Sequence, residues 1–192
     1  QPYDRLLIAT GSVFGIPPIN HFRTASNVYG FRDLSDAQKI DEAVKKKNAK
    51  HVFIVGSGLV GLDVATGLME RGVKVTIAEM APRVMPLQTD DTAAKAYQER
   101  FEAHGARFLL GIGASDSIVN DQNEITAVVL SNGETVECDF VICAAGVRPN
   151  MEWLKDSGLA MERGITVDSH MRTSAPDVYA AGDVTGLSGV WP

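Results

Sequence analysis

Short, solid apolar runs alternate along this chain with segments in which apolar residues recur every third or fourth position, the pattern of buried strands alternating with amphipathic helices. Arg5-Leu6-Leu7-Ile8-Ala9 is the first run and predicts a buried strand closed by Thr10-Gly11-Ser12. Pro17-Pro18 then predicts an extended loop. Residues 35–47 predict a helix capped by Ser35, with Gln38 completing a capping box and Ala37, Ile40 and Val44 forming one apolar stripe. Lys45, Lys46 and Lys47 fall where positive charge suits the helix dipole and read as a solvated helix end. His51–Val55 is a second run, residues 59–71 a helical segment stopped by Gly72, and residues 73–78 a third run ending at Glu79. These three pieces compose a β-α-β unit of about 30 residues. Residues 89–104 predict another helix, capped by Thr89, with Ala93, Tyr97 and Phe101 facing inward; residues 106–110 predict a third parallel strand.

Past that point the periodicity changes. Residues 118–119, Ile125–Leu130 and Thr135–Glu137 read as short strands broken at Asn120-Asp121-Gln122-Asn123 and at Asn132-Gly133, a strong hairpin signal. An antiparallel meander follows from that spacing. Phe140–Cys143 returns to a buried strand before Ala144-Ala145-Gly146, and Val178–Ala180 is a last apolar strand before Ala181-Gly182-Asp183. The fold class is α/β: a Rossmann-type parallel sheet with an antiparallel meander as a crossover.

Composition narrows the setting. The 192 residues are 45% hydrophobic and 22% charged, as in an ordinary soluble globular protein. A net charge of −6 argues against a nucleic-acid partner, which needs a basic face. No apolar run approaches the ~18 residues that span a bilayer, and no basic segment with an apolar signal core opens the chain; a cytoplasmic protein without membrane association is expected. Cys138 and Cys143 are too few for a disulfide scaffold. Their odd offset across a strand predicts opposite faces, and both read as structural thiols. His21, His51, His104 and His170 have no metal-ligand spacing. The apolar Leu6-Leu7-Ile8 so near the start, and Val190-Trp191-Pro192 at the end, lead us to expect a piece of a longer protein.

Gly56-Ser57-Gly58-Leu59-Val60-Gly61 matches G-x-G-x-x-G, and it follows a strand, opens a helix, and precedes a second strand ending in an acid. Gly56 permits the tight turn, Gly58 lets a pyrophosphate approach the backbone, and Gly61 lets the helix pack closely on the sheet. The pyrophosphate would sit at the helix N-terminus, and Glu79 can accept both hydroxyls of the adenosine ribose. The expected ligand is therefore NAD(H).

Three further motifs surround this fingerprint in order: Leu7-Ile8-Ala9-Thr10-Gly11-Ser12, Ala145-Gly146-Val147-Arg148-Pro149-Asn150, and the segment from Thr173 through Tyr179-Ala180-Ala181-Gly182-Asp183. With them the chain resembles the FAD-dependent pyridine nucleotide-disulfide oxidoreductases, a family that includes NADH oxidases, coenzyme A disulfide reductases, NADH-dependent rubredoxin or ferredoxin reductases and the flavin part of nitrite reductases. The resemblance implies residues 1–33 as a flank of the FAD domain, 34–148 as the NAD(H) domain with a linker helix at its start, and 149–192 as a second FAD-domain flank. The flanks, remnants of a second Rossmann-like domain, should pair with each other. By resemblance Asp183 accepts a hydrogen bond from the ribityl chain of FAD, with Gly11 and Gly182 beside it, and Gly146 lies next to the bound nucleotide. Asp63 stands where many relatives have a Glu near the nicotinamide; it also reads as a first-turn acid favoured by the helix dipole. Arg83 either covers the adenine or a phosphate, or is a solvated loop arginine. The family's first G-x-G-x-x-G, its redox cysteines and its dimerisation domain have no counterpart in residues 1–192.

The resemblance implies an enzyme that takes hydride from NADH to FAD and passes electrons to a disulfide, O2 or a small redox-protein acceptor, with a homodimer partner when full length; this segment alone should be inactive. A stand-alone NAD-sensing or regulatory module is the alternative, since Rossmann folds host many functions. Asp183 and the Ala-Thr-Gly-Ser element favour the enzyme, because a pure sensor has no need of flavin-domain flanks. A flavin monooxygenase is disfavoured by the meander before Cys143.

Overall fold

The computed structural model describes residues 2–185. In chain order its elements are β1 (Leu6–Ile8), β2 (Ser12–Phe14), β3 (Val28–Gly30), α1 (Leu34–Lys47), β4 (His51–Val55), α2 (Leu59–Met69), β5 (Lys74–Glu79), α3 (Asp91–Glu102), β6 (Arg107–Leu110), β7 (Ala114–Val119), β8 (Ile125–Leu130), β9 (Thr135–Glu137), β10 (Phe140–Cys143), β11 (Val147–Pro149) and β12 (Val178–Ala180). Single 3-10 turns occur at Glu152–Leu154 and Asp183–Thr185. The chain divides into two compact units, Phe14–Gly146 and the two ends, Gln1–Val13 with Val147–Pro192.

The Phe14–Gly146 unit is built on a five-stranded parallel sheet in the order β3-β10-β4-β5-β6. The central strands β10 and β4 are apolar runs because both faces are covered. Alternate residues go to different cores. Val52, Ile54, Val75, Ile77, Phe140 and Ile142 pack with Ile40 and Ala43 of α1 and Leu62, Ala65 and Leu68 of α2. Phe53, Val141 and Cys143 point the other way, onto Ile125, Val128, Leu130 and Val136 of the meander. The result is three layers: helices, parallel sheet, antiparallel β7-β8-β9. One buried amide ties the last two. Asn27 Nδ2 donates to the carbonyls of Ile125 (2.8 Å) and Asp139 (2.9 Å), and its Oδ1 accepts from Ile125 N (2.7 Å).

In the end unit the two flanks pair. β1 runs parallel to β12, with Leu6, Leu7 and Ile8 opposite Val178, Tyr179 and Ala180, and β2 lies beside β11. Ile8, Leu154, Ile165, Val178, Ala180 and Val184 form its small core. No helix among the described residues is long and apolar enough to cross a membrane.

Several local expectations are corrected. α1 is capped by Asp33, not Ser35: the Asp33 carboxylate accepts from Asp36 N at 3.1 Å, and the Asp36 carboxylate accepts from Arg32 N, one residue before the cap, at 3.0 Å. α3 is capped by Asp90, not Thr89, because the Thr89 hydroxyl donates instead to the carbonyl of Met85 at 3.0 Å. That start turns Ala94 inward and leaves Tyr97 47% exposed; Phe101 packs edge-on against Phe108. Cys138 and Cys143 are both free and both buried in the same core, not on opposite faces, since β10 begins only at Phe140 and the count of alternating positions does not carry through residues 138–139. β2, β3 and β11, three residues each, have no apolar run long enough to announce them.

Candidate functional site

β4 ends at Val55, and Gly56 turns the chain with φ +102°. A Cβ at Gly56 would lie 2.6 Å from the carbonyl oxygen of Ala144, and one at Gly61 would lie 2.1 Å from the carbonyl oxygen of Gly56. Backbone blocks both positions, so the fold itself demands those two glycines. Gly58 differs. Its backbone is extended (φ −71°, ψ −176°), and a Cβ there would meet nothing within 4 Å. The fold has no need of a glycine at residue 58.

Gly58 is also the N-cap of α2, and it provides no side-chain cap; the first turn holds no acid either. The caps of α1 and α3 are carboxylates. α2 thus presents its first-turn N–H groups with no side-chain cap and no acid in its own first turn. Leu59 (58% exposed) and Val60 (42%) stand outward on this turn, while Gly61 is buried against the sheet.

Glu79 closes β5 and is drawn to the glycine turn. Its Oε2 accepts from Ser57 N and Ser57 Oγ, each at 3.0 Å, and its Oε1 accepts from Ala81 N at 3.0 Å. Ser57 is completely buried, and its carbonyl accepts from Met85 N at 3.0 Å. Nothing in the spacing of the fingerprint revealed this role of Ser57; the only signal was a hydroxyl at a position that the motif leaves open.

Arg83 is held within its own loop. Nη1 pairs with the Asp91 carboxylate at 3.0 Å, and Nη2 donates to the carbonyls of Pro86 (3.1 Å) and Thr89 (3.3 Å). Asp63 lies beyond the first turn of α2, so the dipole reading of this residue does not hold. It is exposed and lines the groove between α1 and α2 with Asp41, Val44 and Arg71. Gly146 follows the Ala144-Ala145 segment that packs on Gly56, and its carbonyl accepts from Gly15 N at 2.8 Å. The structure therefore gathers Gly56, Ser57, Gly58, Leu59, Val60, Gly61 and Glu79 around one turn; Arg83 and Asp63 sit on separate supports.

The residues singled out by resemblance to flavin-binding motifs meet in the end unit. Ser12 Oγ donates to Asp183 Oδ2 at 2.6 Å. The carbonyl of Gly11 accepts from Asn150 N at 2.9 Å, and Thr10 Oγ1 donates to the Asn150 carbonyl at 3.0 Å. Gly182 opens the 3-10 turn that carries Asp183, accepting from Thr185. The three separated sequence motifs are thus joined by hydrogen bonds. The thiols stand apart from this chemistry: burial pushes both Cys138 and Cys143 up to about 12, which keeps them protonated and unreactive at neutral pH.

The chain is 36% identical over 99% of its length to a nitrite reductase [NAD(P)H] of Bacillus subtilis, covering 23% of that protein. Among solved structures it superposes on a ferredoxin reductase from Rhodopseudomonas palustris with TM-score 0.83 and 31% identity, covering 95% of this chain and 44% of that one. It superposes likewise on a water-forming NADH oxidase from Lactobacillus brevis bound to NADH, with TM-score 0.80 and 27% identity over 96% of this chain and 40% of that one. The chain spans less than half the length of these proteins. The family model described as pyridine nucleotide-disulphide oxidoreductase matches residues 1–192. With a strand–glycine turn–helix unit ending in an acid, and with all three flanking motifs in place, this chain belongs to the pyridine nucleotide-disulphide oxidoreductase family.

Proposed function

We propose that the chain is the NADH-binding part of an FAD-dependent oxidoreductase that takes hydride from NADH to FAD and delivers electrons to a disulfide, O2 or a small redox protein. The observation that carries this reading is Gly58: Gly56 and Gly61 are demanded by backbone contacts, whereas Gly58 borders open space beside an uncapped helix end. A pyrophosphate placed there would receive first-turn N–H groups and the dipole of α2. The Cβ position left vacant at Gly58 is where it would approach the chain. Glu79 would hold the adenosine ribose and Gly146 would border the bound nucleotide. The NADH-bound state of the Lactobacillus brevis oxidase supports the choice of ligand.

FAD would supply the hydride-accepting ring when bound. This chain's contribution is Asp183, whose carboxylate is already oriented by Ser12 and would accept from the ribityl chain. That pair also favours the enzyme over a stand-alone NAD sensor, which has no use for it. The acceptor and a homodimer partner would be met by parts of the full-length protein outside residues 1–192.

Glu79 should make the site prefer NADH. NADPH carries a 2′-phosphate toward this carboxylate, and like charges at about 4 Å near a protein surface repel by about 4 kcal/mol as an upper guide. Arg83 is engaged by Asp91 and two carbonyls, with its buried Nε left without a partner, so a phosphate would have to compete with these contacts for the guanidinium. Calorimetric titration should show NADH bound at least about tenfold more tightly than NADPH, with most of that bias lost in Glu79→Ala. Equal affinity in the wild type would remove Glu79 from the ribose.

A further inference from the structure

We infer that His51 is a pH-sensitive clasp at the margin of the parallel sheet: as a neutral imidazole it ties β5 to the end of the meander, and protonation of the ring loosens that tie. His51 opens β4 opposite Lys74 of β5, at the far end of the sheet from the glycine turn. Alternation puts its side chain on the same side of β4 as Phe53, which packs with Ala78 and the meander. Nε2 lies 2.8 Å from Oγ1 of Thr76, and the ring also hydrogen-bonds to the main chain of Glu137, the last residue of β9. One half-buried ring therefore joins β4 to β5 and to the point where the meander turns back toward β10.

The partners decide which form of the ring fits. A carbonyl only accepts, so the ring nitrogen that faces Glu137 carries a hydrogen. Thr76 is 2% exposed, and among the described residues its hydroxyl bonds to His51 alone. A hydroxyl buried in this way needs an acceptor for its hydrogen, and in the neutral ring Nε2 is that acceptor. A second proton makes Nε2 a donor. The Thr76 hydroxyl hydrogen is then turned away from its one partner, into a core without water. The surroundings also disfavour the cation. Loss of water on burial is the largest influence and opposes the charge. Asp139, whose carboxylate accepts from Lys50 N at 2.7 Å and His51 N at 2.9 Å, works the other way. Lys74 on β5 and Arg107 on β6 add to the opposition, although Arg107 is itself paired with Glu134 at 2.6 Å. The balance holds the ring below its ordinary value of 6.5. An opened chain takes up the proton first, so the clasp is complete above that ordinary value and is lost as the pH falls through the lower value of the folded protein.

Two measurements on the full chain test this. Nitrogen NMR of the histidine rings should give His51 a titration midpoint below 6.5, with Nε2 bare in the neutral form. Amide hydrogen exchange then reads the clasp itself, at Cys138 N and Asp139 N, which donate to the carbonyls of Thr126 and His51. Between pH about 7.5 and about 5, after correction for intrinsic exchange, their protection should fall about threefold or more in the wild type. In His51→Gln, which fills the site without titrating, it should fall less than about 1.5-fold. A plain packing role for His51 would leave the pH dependence the same in both proteins, and that result overturns the inference. So does a wild-type midpoint at or above 6.5, or a neutral ring with its proton on Nε2, and neither of these readings depends on the variant folding.

Discussion

Gly56, Gly58 and Gly61 share a motif but answer to different constraints. A methyl at Gly61 would press within 2.1 Å of a backbone oxygen, and one at Gly56 within 2.6 Å of another, so Gly61→Ala and Gly56→Ala should each destabilise the fold by several kcal/mol, read as a lowered urea midpoint. Gly58→Ala meets no atom of the protein and costs only the difference between two residues at an N-cap, about 0.5–1 kcal/mol. The buried thiols make a second residue-scale prediction. With both held up at about 12 by loss of water, neither Cys138 nor Cys143 should be alkylated by iodoacetamide at pH 7.5 in the folded chain, and both should react once urea unfolds it. Rapid labelling of the folded protein would contradict their burial. At this scale spacing singled out Gly56, Gly58, Gly61 and Glu79 as candidates for nucleotide contact. It placed Ser57 in the same fingerprint but gave no sign of its hydrogen bonds to Glu79, nor of the Met85 N–H that its carbonyl accepts.

At the scale of elements, the helices and the longer parallel strands β4, β5, β6 and β10 are legible because each buries both faces of a strand or one stripe of a helix, and that demand writes itself into the apolar pattern. The boundaries are not. Asp33 and Asp90 took the caps because the neighbouring Ser35 and Thr89 hydroxyls were not at the residue where the helix actually begins, and that start is set by how the preceding loops pack. The three-residue strands β2, β3 and β11 are made by pairing alone and have no periodicity to read. Where β3 enters the sheet, Asn27 fixes the meander to it with two buried hydrogen bonds to Ile125 and adds a part-buried one to the Asp139 carbonyl. Asn27→Ala would strand one donor and two acceptors away from water, at roughly 1–3 kcal/mol for each unsatisfied group. The expected cost is about 3 kcal/mol or more in urea unfolding; a loss under about 1 kcal/mol would show that the meander is held by its apolar face alone.

For the molecule as a whole, one G-x-G-x-x-G occurs in residues 1–192 and it belongs to the NADH reading. Asp183 offers FAD about one hydrogen bond to a charged group, worth roughly 1.5–3 kcal/mol against the ~8 kcal/mol of micromolar binding. The purified chain should therefore lose its flavin absorption band on dialysis; a band that survives would mean that the end unit alone suffices for FAD. The central claim is that the turn at Gly58 is a pyrophosphate cradle, and the most direct test is a calorimetric titration of NADH into the wild type and Gly58→Ala side by side, with thermal melts of both. The account predicts melting temperatures within about 4 °C of each other and NADH affinity at least about tenfold weaker in the variant. A Gly58→Ala chain that melts like the wild type and binds NADH equally well would contradict it.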